Sequence, residues 1–354
     1  MGAAEDLTSP ASRIRAEIAA SGPMRFDRFM TLALYGPGGF YEQPPVGPGG
    51  DFVTSPHVHP VFGELLARGL RELWGHLGRP DPFRLLEIGG GDGTLARQLL
   101  HHLRDLPVTF GAVEASGGAR ERLRAVAGLE VLDDLPDDPH VVLGHELLDN
   151  LPFRLVAGTS EIRVGVEDGR LIRVRTPMPA DLAAAAGRDA GSDERAVPTG
   201  ALELIERLGH ILRRGYALFV DYGGETGGGP VHGYREHRLV EDVLGDPGTA
   251  DITAGVDLGL LAEAASAHGL RPFPTVSQFQ ALSALGFAAW MREELSAQGA
   301  MLNRGDGMEA VRRWAGRSRA SILVDPGHLG RLRWFAMSSR QLPRPSFLTP
   351  DGEA

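Results

Sequence analysis

The chain has 354 residues, a formal net charge of −10, no cysteine and no lysine, so arginine supplies all of its fixed positive charge. Without cysteine there are no disulfides, thiolate metal sites or cysteine nucleophiles, and an acidic chain with no basic stripe lacks the surface on which nucleic-acid binding depends. Apolar residues make up 42%, enough for a large core, yet no apolar run approaches a membrane span and the start, MGAAEDLTSPASRIRAEI, has no secretory leader. These features predict a cytoplasmic protein whose partner is a protein, a peptide or a small molecule, with no nucleic acid or membrane.

Residues 11–34 read as helical, with a break at Ser21-Gly22-Pro23. Residues 35–60 are rich in Gly and Pro and predict a long irregular loop, of the kind that is usually functional; Tyr35, Phe40, Tyr41 and Phe52 argue against plain disorder. A helix resumes over 61–78. From Phe83 strands and helices alternate: FRLLEIG, then TLARQLLHHLRD; VTFGAVEAS, then GGARERLRAVAG; LEVLDDL; and a fourth strand in HVVLGHELLDNLPF. This rhythm predicts a parallel, doubly wound Rossmann-like α/β sheet with helices on both faces. Residues 153–176 predict a β-hairpin or meander turning at Asp168-Gly169, and 177–200 a loop. A helix over 201–213, a strand in GYALFVDYG, a loop over 223–230, helices over 257–268 and 278–300, and a strand near 332–339 follow.

Glu87-Ile88-Gly89-Gly90-Gly91-Asp92-Gly93-Thr94 follows a strand and opens a helix. Glycines there let the backbone turn tightly and approach a nucleoside closely. A dinucleotide fingerprint starting at Gly89 needs glycine at 94, where Thr94 stands, and a P-loop needs Gly-Lys-Ser/Thr. Gly89, Gly91 and Gly93, with Glu87 two residues ahead of the first, instead fit the S-adenosylmethionine loop of class I methyltransferases. Glu114, at the end of the second strand, suits the ribose hydroxyls. Asp133 and Asp134 follow the third strand, where adenine is usually met, and are candidate cofactor-binding residues; capping a turn before Pro136 is the alternative.

The fourth strand runs into Gly144-His145-Glu146-Leu147-Leu148-Asp149-Asn150-Leu151-Pro152-Phe153. Ligands of such sheets sit beyond the carboxyl ends of the strands. Glu146 and Asp149, three residues apart, would share a face of one helical turn and could clamp a cationic acceptor such as a guanidinium. A cap at Asp149 and a solvated Glu146 are the alternative.

LYGPGGFY at 34–41, GGDFVTSPHVHPVFGELLA at 49–67, the glycine segment, GHELLDNLPFRLV, FVDYGGE, GYREHRL and ADITAGVDLGLLAEAASAHGL at 250–270 occur in an order that resembles the MidA-type methyltransferases. That family includes the mitochondrial complex I assembly factor that methylates an arginine of a complex I subunit. The resemblance implies a class I core at about 81–354, an insertion at about 153–200, and an N-terminal extension, about 1–80, over the cofactor pocket. Position by position it assigns Gly89, Gly91, Gly93 and Glu114 to the cofactor motif, adds Asp51, Thr54 and Ser55 to it, and marks Glu146, Asp149, Pro152 and the Asp221-Tyr222-Gly223 segment. Gly90 replaces a usual proline, His57 a usual Glu, and His145 a usual Asn or Gln. A neutral His57 or His145 could act as general base. His57 and His59 stand two apart without further ligands, so no metal is expected. The expected function is methyl transfer from S-adenosylmethionine to a protein side chain, with arginine the first candidate. A small metabolite or natural-product peptide as acceptor, and an assembly protein with a vestigial pocket, are the competing readings.

Overall fold

A computed structural model describes residues 9–42, 53–187, 193–224, 230–235, 238–340 and 342–350. The strands along the main path of the principal sheet, numbered along the chain, are β1 (Phe83–Ile88), β2 (Val108–Val113), β3 (Leu129–Leu132), β4 (Val141–His145), β5 (Tyr216–Asp221), β6 (Leu270–Pro272) and β7 (Arg333–Ser339), and the two-residue strand Val276–Ser277 pairs with β7 off this path. Their order is β3-β2-β1-β4-β5-β7-β6. The first five run parallel, and β7 is antiparallel to both β5 and β6. A dinucleotide-binding sheet has no antiparallel strand wedged at that place. The chain leaves β1 toward β2 and β3 and returns to β4 on the other side, so β1 and β4 form the topological switch point where ligands of such sheets bind.

β4 and β5 are buried along almost their whole length, and their side chains are apolar for that reason: Val141, Val142, Leu143, Leu218, Phe219 and Val220 are all at most 3% exposed. Helices cover both faces. Val61–His76 and Thr94–His102 pack on one through Phe62, Leu65, Leu70 and Leu99; Thr199–Ile211 and Leu258–Ala267 pack on the other through Ile205, Leu208 and Leu261.

A second core lies beside this one. Ile14, Phe26, Phe29, Met30 and Leu34, from the N-terminal helices, pack against Phe153, Leu155, Ile162 and Val164. Leu155, Ile162 and Val164 belong to an antiparallel sheet built from Met24–Arg25, Arg154–Ala157, Ser160–Glu167, Arg170–Pro177 and Arg195–Val197. The N-terminal segment thus contributes the edge strand Met24–Arg25 to the sheet formed by the insertion.

Two expectations are corrected, and one helix is added. Residues 177–200 are not simply a loop: Ala180–Ala186 is a helix and Arg195–Val197 a strand, with Leu182, Ala186, Val156 and Val197 forming a small core. The helical stretch over 278–300 is two helices, Gln278–Ala284 and Phe287–Asn303, because Gly286 between them sits at φ 101° and directs the chain out of the first. A further helix, Gly307–Ser321, follows them.

Candidate active site

The carboxyl ends of β1, β2, β4 and β5 bring the site together. After β1, Gly89, Gly91 and Gly93 all adopt left-handed φ, at 74°, 56° and 78°, a region that glycine enters without steric cost. A side-chain carbon built on Gly91 would meet no atom within 4 Å, so the loop cradles open space. Gly91 N–H donates to Glu114 Oε2 at 3.1 Å, and Ser116 N–H to Glu114 Oε1 at 3.0 Å. The carboxylate at the end of β2 is thereby fixed against the glycine loop. Glu87 is 3% exposed and its Oε2 has no hydrogen-bond partner. Burial, with Glu114 and Asp92 nearby, pushes it up to about 8. An open glycine cradle, a fixed carboxylate beside it and a buried carboxyl oxygen lacking a partner fit a nucleoside cofactor that carries positive charge.

Asp92 and His57 join the loop to the segment before it. Asp92 Oδ1 accepts from Thr94 N–H at 2.9 Å and Oδ2 from the Thr94 hydroxyl at 2.9 Å, which satisfies the first N–H of the helix Thr94–His102. His57 Nε2 lies 3.1 Å from Asp92 Oδ2, and its Nδ1 lies 2.8 Å from Thr54 Oγ1. Burial opposes the charge on Asp92, but the bonds from His57 and Thr94 outweigh it and hold the group at about 2. Both ring nitrogens of His57 are therefore engaged, which suits a strut better than a base. Thr54 and Thr94 have their hydroxyls committed to His57 and Asp92. Ser55 is fully buried, with its hydroxyl on Gln278 Oε1 at 3.2 Å.

Glu146 follows β4 at φ 49°, a conformation costing about 1–2 kcal/mol for a non-glycine residue. The turn is held by Glu146 N–H donating to the Val220 carbonyl at 2.8 Å, and by Leu147 and Leu148 N–H donating to Asp221 Oδ2 at 2.9 and 2.6 Å. Burial and the neighbouring Asp221 push Glu146 up to about 8, although the Ser55 backbone bonds its carboxylate; its Oε1 has no hydrogen-bond partner. His145 packs edge-on against Phe62, and burial beside His57 lowers it to about 3. At neutral pH it is an uncharged imidazole and a weak base.

Behind Glu146 lies a buried acidic layer. Asp149 is 8%, Asp221 1% and Asp251 4% exposed. Asp149 Oδ2 accepts from the Thr253 hydroxyl at 3.1 Å, and Asp251 Oδ1 from the Tyr41 hydroxyl at 2.9 Å. Tyr41 stacks on Tyr35, whose hydroxyl donates to the Asn150 carbonyl at 2.7 Å. The N-terminal extension reaches the cofactor side as well: the Ser116 hydroxyl donates to the Tyr41 carbonyl at 2.7 Å, and Gly117 N–H to Glu42 Oε1 at 3.0 Å.

The structure therefore gathers Glu87, the three glycines, Glu114, Thr54, Ser55, His57, Thr94, His145, Glu146 and Asp149 at the carboxyl end of the sheet. Asp133 and Asp134 stand apart. Their side chains are 97% and 76% exposed and pair with Arg120 and Arg207, and Asp134 also accepts from Leu135 N–H at 2.8 Å, as a turn-capping pair would. Asp51 lies outside the described residues. Asp92, Asp251 and Thr253 received no role from the sequence. Asp92 stood inside the glycine motif, and Asp251 and Thr253 inside the matching ADITAGVDLGLL segment, but the partners His57, Tyr41 and Asp149 that tie them to the site are distant in the chain. Among the described residues no cluster of His, Asp and Glu could hold a metal ion, and no helix is long and apolar enough to cross a membrane.

Comparison with known proteins agrees with this geometry. The profile of a family of S-adenosyl-L-methionine-dependent methyltransferases matches residues 65–276. The chain belongs to this family. It is 32% identical to the mitochondrial protein arginine methyltransferase NDUFAF7 homolog of Drosophila melanogaster, over 74% of this chain and 71% of the fly protein, and 29% identical to human NDUFAF7, over 73% and 69%. Its fold superposes on a Burkholderia thailandensis protein solved bound to S-adenosyl-homocysteine, with a TM-score of 0.83, 28% identity and coverage of 97% and 95%. The protein is a MidA-type, class I methyltransferase, and its cofactor is S-adenosylmethionine. One expectation is corrected here. A cytoplasmic location was read from the N-terminus, yet the fly and human relatives are both named as mitochondrial.

Proposed function

We propose that this methyltransferase acts on an arginine side chain of a protein, with Glu146 as the carboxyl group that engages the guanidinium. The observation that carries this reading is Glu146 itself: half-buried, held at a strained φ, with an Oε1 that is shut off from solvent and lacks a hydrogen-bond partner at the switch point of the sheet. Strain of this kind persists only where the surroundings enforce it, and it concentrates at functional sites. A buried carboxyl group without a cation is unfavourable, and a planar guanidinium is the protein group best suited to pair with it. The names of the relatives, protein arginine methyltransferases, support the same acceptor.

The glycine loop from Gly89 to Gly93, Glu87 and Glu114 would hold the cofactor. Bound S-adenosylmethionine supplies an electrophilic methyl group. The chain's residues align the acceptor nitrogen and manage its proton. Glu146, once ionised, accepts hydrogen bonds from the guanidinium. Its Oε1 then takes the proton that the nitrogen loses on becoming methylated, and an affinity raised above that of an ordinary carboxylate helps it hold that proton. His145, uncharged and packed on Phe62, walls the site without competing for the proton. Labelled methyl transfer into the proteins of a lysate tests the reading: label should appear on arginine, and recovery of label only in small molecules would overturn it.

A further inference from the structure

Large apolar side chains are scarce on the surface, and most of them gather in one place. Among the described residues nine are exposed, and five of these, Leu295, Leu302, Met308, Val311 and Trp314, lie on two consecutive helices, Phe287–Asn303 and Gly307–Ser321. On the second helix Met308, Val311 and Trp314 recur every third residue and so share one side. The opposite side is held against the rest of the chain: Ala310 and Ala320 are buried, Arg313 Nη1 donates to Glu294 Oε2 at 2.8 Å, and Arg317 donates to Gln298. The packed side is thus made of small and polar residues, and the apolar side is left to solvent. Single apolar residues on a surface need no explanation, whereas a cluster of them marks an interaction site.

The apolar side is also basic. Arg312 and Arg319 are exposed and border Met308 by helical spacing, and the helix Gly307–Ser321 carries four arginines against one glutamate in a chain whose net charge is −10. The two helices stand beside the site. The Trp290 ring meets that of His59 edge-on at 5.1 Å, and a side-chain carbon on Gly316 would lie 3.5 Å from His59 Nε2. His59 directly follows the helix Ser55–Val58, which carries Ser55 and His57. We infer that the exposed face of this helix pair docks the acceptor protein, through a segment that combines carboxylates with apolar side chains. Trp, Met and Arg are the residues that protein interfaces favour, and the arginines select an acidic partner. A second copy paired by two-fold symmetry would set this basic patch against itself, and an anchor to a membrane gains nothing from a place beside the site.

This docking face rests on the reading that the acceptor is a protein, and its test keeps the two apart. Trp314→Glu, on an exposed side, should leave S-adenosylmethionine affinity unchanged by calorimetry, which reports an intact fold, and lower labelled-methyl incorporation into dilute lysate proteins about tenfold. That deficit should shrink as the lysate is concentrated, whereas the loss in Glu146→Gln should persist, because the first variant weakens docking and the second the chemistry. A synthetic helical peptide of Glu and Leu, without arginine, should inhibit incorporation by the wild type. It should inhibit the double variant Arg312→Glu, Arg319→Glu about tenfold more weakly, and a peptide of Lys and Leu should not inhibit the wild type. Incorporation at the wild-type level by Trp314→Glu, or equal inhibition of the two proteins or by the two peptides, would overturn the inference. So would a dimer in sedimentation that Trp314→Glu dissociates, or phosphatidylglycerol vesicles that bind the wild type but not Trp314→Glu, which would assign the face to a second copy or to a membrane. Methylarginine lowered in Trp314→Glu but normal in Glu146→Gln would remove Glu146 from the mechanism and leave the docking face standing, while label confined to small molecules would remove both.

Discussion

Glu146 combines a left-handed φ with a carboxyl oxygen that is shut off from solvent and lacks a hydrogen-bond partner, and both are unfavourable unless something gains from them. Glutamine has the same shape and no ionisable group. Glu146→Gln should therefore leave cofactor affinity within about twofold while lowering the transfer rate about 10²–10⁴-fold, the range of a lost acid–base group; calorimetry and initial rates check the two halves, and an unchanged rate would contradict the assignment. Gly91 is the complementary case. Nothing lies within 4 Å of the position a side chain would take, but φ is 56°. Gly91→Ala should cost about 1–2 kcal/mol in backbone strain. Gly91→Arg should also fill the cradle and abolish S-adenosylmethionine binding by calorimetry; retained affinity would place the cofactor elsewhere. The glycines and Glu114 were legible because the loop, its strand and its helix are contiguous in sequence. Asp251 was not, because the Tyr41 hydroxyl it accepts from is 210 residues away. His57 was visible as an oddity, but its pairing with Asp92 and Thr54 needs the fold.

At the scale of elements, the N-terminal extension is bound to the core at both ends of the site. Tyr41 and Glu42 dock on the start of the helix Gly117–Arg124, beside Glu114, and Tyr35 and Tyr41 reach the acidic layer behind Glu146. The docking is close: a side-chain carbon on Gly118 would lie 2.2 Å from the Glu42 carbonyl oxygen. Gly118→Ala must therefore push the extension away from Glu114. Calorimetry should show cofactor affinity falling about tenfold, equivalent to about 1.4 kcal/mol, and unchanged affinity would mean that the extension does not help to form the pocket. The alternating strands and helices from Phe83 onward were legible because their apolar periods are clear. The helix Gly307–Ser321 was not, for a physical reason. Its buried face includes the small residues Ala310 and Ala320, while Met308, Val311 and Trp314 are 75%, 62% and 56% exposed. Its hydrophobic pattern thus points away from the side that is packed.

For the whole molecule, the buried acids set the response to pH. Glu87 and Glu146 are held at about 8, so between their ordinary 4.5 and 8 the folded chain keeps protons that the unfolded chain releases. Stability must then fall as pH rises through that window, by up to about 1.4 kcal/mol per unit and group. His145 has the opposite sign. Held at about 3, it stays neutral when the unfolded chain takes a proton below 6.5, so its contribution is lost as pH falls from 6.5 toward 3. The clean interval is pH 6.5 to 8, where the cofactor-free protein should lose stability to denaturant and Glu146→Gln should flatten the loss. A wild-type stability that rises over that interval would contradict the burial of these acids. In the proposed reading these opposed shifts keep Glu146 and His145 uncharged until a cationic acceptor enters the site. That claim is tested most directly by incubating the protein with S-adenosylmethionine labelled in its methyl group and a lysate, hydrolysing the proteins and separating the amino acids. Label should appear in methylarginine with the wild type, and at most about one hundredth of it with Glu146→Gln. Label on another residue or only in small molecules, or equal methylarginine from the two proteins, would contradict it.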